Sequence, residues 1–280
     1  MVHYTYLMSS LQELKLFDPG RNFTTLQLFL FCRDQLRPQD MEKIRLLFLM
    51  NDIRNTVYLN FNDKQRQEDY VRPACYDEDS FWAGRKDHAL FFPFLQRFYL
   101  QLEGEPRAYP DLPMADELTF YFYEDVDTLV SGFTLDRYLM ERELRNLALA
   151  LTEIHEGRAP LSRLIPSGIV YEAVVSSPNP KDWNLEKSLP WASSLLPLVE
   201  QPLELEVTLE KIRWAWLEEQ EPESWDSLEA LMIYFVRLQT VERWEALELE
   251  AGKTRFESLL GTLNRTIRFA IEIANPGGNK

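Results

Sequence analysis

A mainly α-helical bundle, with a few short strands or extended segments, is the fold class that this 280-residue sequence predicts. Three observations carry the prediction. Leu, Glu and Arg, all good helix formers, dominate the periodic segments. Apolar residues recur three and four apart in most of those segments, which is the period of a helix with one buried face. Glycines number only ten, and the apolar–polar alternation of a half-buried strand is scarce.

In chain order, Tyr4 to Leu14 reads equally as a short strand or a helix. Asp18-Pro19-Gly20 is a turn. Thr24 is placed to cap a helix over Thr25 to Leu36, in which Cys32 acts as a small core residue. Pro38 ends that helix and suits the first turn of the next, Gln39 to Met50, with Met41, Ile44, Leu47 and Phe48 inward. Thr56 to Phe61 alternates weakly and suits a short strand or an extended arm. Asn62 to Asp79 is polar and expected to be exposed. Near Pro93 a helix starts that turns Phe94, Leu95, Phe98 and Leu102 inward. Three prolines between Glu103 and Pro113 mark a linker, and Asp116 to Leu129 then forms a helix burying Leu118, Phe122, Val126 and Leu129.

The run Thr134 to Glu156 is the central helix. Met140, Leu144, Leu147, Leu151 and Ile154 form its seam. Thr134 is expected to cap it, Glu141 to pair with Arg145 four residues on, and Gly157 to stop it. Seven prolines from Pro160 to Pro202 then prevent any long period. Short helices and loops are expected there, with Ile169 to Val175 a strand candidate. Ser227 to Glu250 and Thr254 to Ala274 read as an antiparallel helical hairpin. The expected division is an N-terminal helical part over 1–103 and a central and C-terminal part over 114–280, with a Pro-rich insertion at about 158–203. One continuous domain is the alternative.

Charge and motifs narrow the function. Thirty Lys and Arg stand against 45 Asp and Glu, a net charge of −15. That balance disfavours duplex nucleic acid and broad anionic-lipid surfaces as partners, and fits ordinary solubility or a basic protein partner. Cys32 and Cys75 indicate no disulfide framework and a reducing compartment. No secretory leader and no membrane span are expected. His3, His88 and His155 are far apart, with no HExxH or paired-cysteine spacing, so no metal is expected. GxxxxGK[ST], GxGxxG and GxSxG are all missing, so no cofactor is expected either. Paired carboxylates such as Glu218 and Glu219 read as solvated faces, and the tryptophans Trp214 and Trp216 as core.

Two polar sets stand beside helical seams: Glu141, Arg142, Arg145 and Asn146, and Arg237, Glu242, Arg243 and Trp244. Each is either a helix-edge ion pair worth under about 1 kcal/mol or a buried polar node that fixes how helices cross.

Three stretches carry a resemblance. HYTYLMSSLQEL, MERELRNLALAL and ALMIYFVRLQTVERWEALELEAGKTRFESLL resemble an uncharacterised bacterial family encoded among the components of a V-type ATPase. The order Tyr234, Arg237, Leu238, Glu242, Arg243, Trp244, Gly252 is its most specific part. Through Tyr4-x-Tyr6 and the acid-x-x-Asn-Leu pattern of Glu143 to Leu147, that family is similar to the C-type socket component of archaeal-type ATPases, the d-type component of eukaryotic V-ATPases. The resemblance implies an all-helical socket that sits on the membrane rotor ring, receives the central stalk and catalyses nothing. It adds Glu143 to the structural and interface candidates. It implies a cytoplasmic protein, peripheral at the inner membrane, with the stalk and ring subunits as partners in ion transport. An assembly or regulatory factor for the same ATPase is the first alternative. A helical enzyme with a carboxylate site in a cleft is the second.

Overall fold

Helices make up every regular element among the described residues; the computed structural model covers residues 4–18, 21–61 and 70–246. The N-terminal stretch resolves as a helix, α1 (Tyr4–Ser10). Thr24 caps α2 (Thr25–Gln35) as expected: its hydroxyl accepts from Gln27 N, and the Gln27 side chain accepts from Thr24 N. Pro38 opens α3 (Pro38–Arg45), which ends five residues earlier than the sequence indicates. A tighter turn over Leu46–Phe48 then leads into α4 (Leu49–Phe61).

This last helix corrects the strand or extended arm expected over Thr56 to Phe61. Leu49, Ile53 and Thr56 repeat at helical spacing and are all buried. The Thr56 hydroxyl donates to Asp52 O at 2.7 Å, a bond that only helical backbone offers. Packing thus overrides the strand preference of a β-branched residue. Of the stretch expected to be an exposed polar loop, 62–69 lie outside the described residues, and 70–77, before α5 (Glu78–Lys86), are not uniformly exposed. Cys75 is buried, and Cys75 N and Tyr76 N both donate to the Asp52 carboxylate at 3.0 Å.

Pro93 starts α6 (Pro93–Leu102), where Phe94, Leu95 and Phe98 are buried as expected but Leu102 is exposed. It pairs with α7 (Met114–Leu129). The proline-bearing connection between them is tied back: Arg107 Nε and Tyr109 N both donate to the buried Glu117 carboxylate, at 2.6 and 3.0 Å.

The central helix is α8 (Phe133–His155). Thr134 does not cap it. Gly132, at φ +56°, turns the chain into the helix one residue earlier, and Thr134 is buried in the first turn. The Pro-rich region is short helices and turns, as its prolines dictate: α9 (Ile169–Ser176), α10 (Ala192–Leu195) and single tight turns between. The strand expected over Ile169 to Val175 is therefore a helix, because Val170 and Val174, four apart, both enter the core. α11 (Pro202–Glu218) and α12 (Leu228–Ala246) follow. Thr254 to Ala274 and the hairpin it was expected to complete lie outside the described residues.

Three apolar clusters fill the interior, and α8 belongs to all of them. An aromatic cluster includes Phe81, Phe94, Phe98 and Phe122 and takes Tyr138 from α8. A second joins α2, α3 and α12 through Leu28, Ile44 and Phe235, and takes Phe133. A third packs Val170, Leu195 and Leu209 against Leu144, Leu147 and Leu151.

Candidate functional site

On one side α8 holds the segment that leads into α9. Asn146 is fully buried and makes both its side-chain hydrogen bonds with one residue, Ile165. Its amide nitrogen donates to Ile165 O at 2.9 Å, and Ile165 N donates to its amide oxygen at 3.0 Å. Both backbone groups of one buried loop residue are thereby satisfied. One turn earlier the buried Glu143 accepts from Val170 N at 2.9 Å, placing an anion at the start of α9. Its other oxygen accepts from Arg142 at 2.9 Å, and Arg142 also donates to Ser167 Oγ at 3.0 Å. Gly168 makes room for this: at φ +96°, a Cβ there would lie 2.2 Å from Glu143 Oε1.

Across the helix the expected pairing is different. Arg145 does not meet Glu141; it donates to Asp116 of α7 at 3.2 Å. Glu141 instead accepts both its bonds from Arg213 Nε, at 2.8 and 3.0 Å. Arg213 also donates to the buried Glu210 at 2.6 Å, and Arg243 pairs with that same carboxylate. Glu141, Arg213, Glu210 and Arg243 thus tie α8, α11 and α12 together. Sequence spacing favoured the i,i+4 partner because helix geometry puts it within reach. The tertiary partners lie on other helices and are unreadable from spacing.

The second set acts in the same way. Glu242 accepts from Thr25 N at 2.8 Å and from Arg21 at 3.0 Å, so α12 supplies a cap to α2. Arg237 donates to Leu217 O at 2.9 Å near the end of α11, and its guanidinium lies 5.7 Å from the Trp214 ring centroid. Trp244 packs on Phe17 at 4.5 Å. All nine residues singled out from sequence therefore join separate elements or, for Arg142, brace a residue that does.

A cleft of about 790 Å³ runs between α4, α8, α11 and α12. It gathers Glu141, Arg145, Glu242 and Arg243 from the sequence candidates. Asn146, Arg142, Glu143, Arg237 and Trp244 are not among its described lining residues. Arg54, Arg137 and Arg213 also line it, and sequence reasoning missed all three. They stand far apart in the chain, on three different helices, so no local pattern announces them. Trp216 and Leu205 add apolar wall.

Buried acids elsewhere are spent on structure. Glu117 accepts from Arg107, Tyr109 N and Tyr121, and Glu153 accepts from Arg158 and Arg163. Asp52 is fully buried. Burial pushes its carboxyl up to about 7, against the two backbone N–H bonds that favour the charged form. No group of three or more His, Cys, Asp or Glu among the described residues is placed to hold a metal, and no described helix is long and apolar enough to cross a membrane.

A family model matches residues 1–267; its description is a protein of unknown function (DUF2764). No curated protein and no solved structure matches the chain.

Proposed function

The chain belongs to the DUF2764 family, whose function is unknown, and from that premise we propose that it is a non-catalytic subunit of a bacterial V-type ATPase. It links the central stalk to the membrane rotor ring, on the cytoplasmic side. The observation that carries this reading concerns the acid-x-x-Asn-Leu pattern on which the resemblance to the socket component of archaeal-type ATPases rests. Glu143 and Asn146 are both buried, and both fix the 165–170 segment to α8. The residues that carry the resemblance are thus braces. A coupling piece has to transmit torque without yielding, and the ionic tie across α8, α11 and α12 supports that demand.

The test is purification of the ATPase through a tag on its central stalk, at low salt. One copy of this chain per complex, constant through gel filtration, is the expected result. Its absence from both stalk and ring preparations overturns the reading. Presence in assembly intermediates but not in the mature enzyme makes it an assembly factor instead.

A further inference from the structure

The chain as a whole is strongly acidic, yet the cleft reverses that balance. Its described lining has six arginines and three glutamates, and no lysine or aspartate. Two of the arginines are committed: Arg213 to Glu141 and Glu210, and Arg72 to Glu78. The other four are not fully matched. Arg54, on α4, is exposed and makes no hydrogen bond or ion pair among the described residues. Arg137, on α8, donates only to neutral acceptors, Leu47 O at 2.9 Å and Gln239 at 3.4 Å, and its Nε is buried with no acceptor. Arg145, also on α8, spends one nitrogen on Asp116, while its Nη1 is buried with no acceptor. Arg243, on α12, shares the Glu210 carboxylate with Arg213.

A guanidinium stays protonated in proteins, so these charges do not disappear on burial. A buried donor without an acceptor is costly to leave so. Burial lowers the pKa of the Arg243 guanidinium, Glu141 and Glu206 oppose this, and Arg54 and Arg137 lower it further. Like charges from α4, α8 and α12 are therefore close enough to feel one another.

We infer that this cleft binds a small organic phosphate, held by Arg54, Arg137, Arg145 and Arg243. Guanidinium forks match phosphate oxygens two at a time. Guanidinium donors from three helices line this one cleft, and a phosphate presents three strong acceptor oxygens to them. The remaining wall mixes neutral polar residues such as Asn51 and Gln239 with apolar ones, of which Met140, Leu149, Leu205 and Trp216 are available to cover an organic body. The volume, about 790 Å³, lies in the range of small-molecule sites. A net charge of −15 repels a long polyanion, so nucleic acid does not fit the same chemistry. The glycine-rich phosphate cradles sought in the sequence are backbone devices; this site is made of side chains brought from far apart. Binding of this kind is a property of the purified chain and needs no ATPase partner.

Isothermal titration calorimetry of the full chain at low salt tests it, with metal-free ATP and pyrophosphate as probes. Sedimentation with vesicles of phosphatidylserine and phosphatidylcholine distinguishes a lipid headgroup. ATP is expected to bind, and pyrophosphate to bind more weakly, because it leaves the apolar wall empty. Vesicles are expected not to carry the protein down. Arg54→Gln should weaken ATP at least about tenfold without moving the unfolding midpoint of the free protein, since Arg54 is exposed and makes no hydrogen bond or ion pair among the described residues. Arg33→Gln, on the exposed face of α2, should leave ATP binding unchanged. Absence of ATP binding, equal affinity for ATP and pyrophosphate, binding to vesicles alone, or equal effects of the two substitutions would each overturn the inference.

Discussion

Replacing Asn146 by leucine tests the polar brace directly. The side chain is fully buried and makes two hydrogen bonds, both to Ile165. Leucine has the same number and branching of side-chain heavy atoms as asparagine, so no cavity is left, and its bulkier methyls can only add to the destabilisation. What changes is the satisfaction of Ile165, which is itself buried. Its N–H and C=O are both left without partners, and each such group costs about 1–3 kcal/mol. The combined loss is about 2–6 kcal/mol, a large share of the roughly 5–15 kcal/mol that stabilises a folded protein. Two measurements check it. Urea unfolding of the variant should show a lowered midpoint. Hydrogen exchange should show the Ile165 amide, slow in the parent, becoming fast in Asn146→Leu while amides of the aromatic cluster stay slow. A midpoint loss below about 1 kcal/mol, with the Ile165 amide still protected, would refute the brace.

Three further expectations follow from the same geometry. Arg145→Ala should lower stability by no more than about 1 kcal/mol, since its ion pair with Asp116 is only half-buried; a double-mutant cycle should find coupling to Asp116 and none to Glu141. Gly168→Ala should destabilise, because the new Cβ meets the Glu143 carboxylate and an L-residue is strained at φ +96°; an unchanged thermal midpoint would contradict the close approach. Asp52 has a folded pKa of about 7, above its unfolded value of about 3.9, so the folded state holds the extra proton. Its contribution is fully present below about pH 4 and is lost as pH rises through 7. The stability of the parent relative to Asp52→Asn should therefore fall between about pH 4 and pH 7, as read by unfolding at each pH; a rise over that window would reverse the sign.

Local signals were readable where a single turn of chain contains the physics. Thr24 and Gln27 lie three apart and form the capping box they imply. Pro93 starts its helix, and Leu144, Leu147 and Leu151 form the inward seam their spacing demands. Reading failed where the decisive partner is remote. Thr56 and Val170 carry strand-like side chains, and only burial makes their segments helical. Thr134 could cap a helix locally, but Gly132 upstream sets the start. Glu141 has a suitable arginine four residues away and uses one 72 positions away instead. The cleft was the least readable feature, since Arg54, Arg137 and Arg243 share no stretch of sequence.

Phe133, Tyr138 and Leu144 sit in three different apolar clusters although they occupy one helix. This arrangement decides how the molecule can be taken apart. A polypeptide cut in the Gly132 turn would separate Tyr138 from Phe94 and Phe122 and Phe133 from Leu28 and Ile44. Two of the three clusters would be divided and each half would expose aromatic surface, while the third would stay whole in the C-terminal half. Mixed in equal amounts, the two pieces should show more helical circular dichroism than the sum of their separate spectra, with α8 arriving on the C-terminal piece as the missing wall of the N-terminal one.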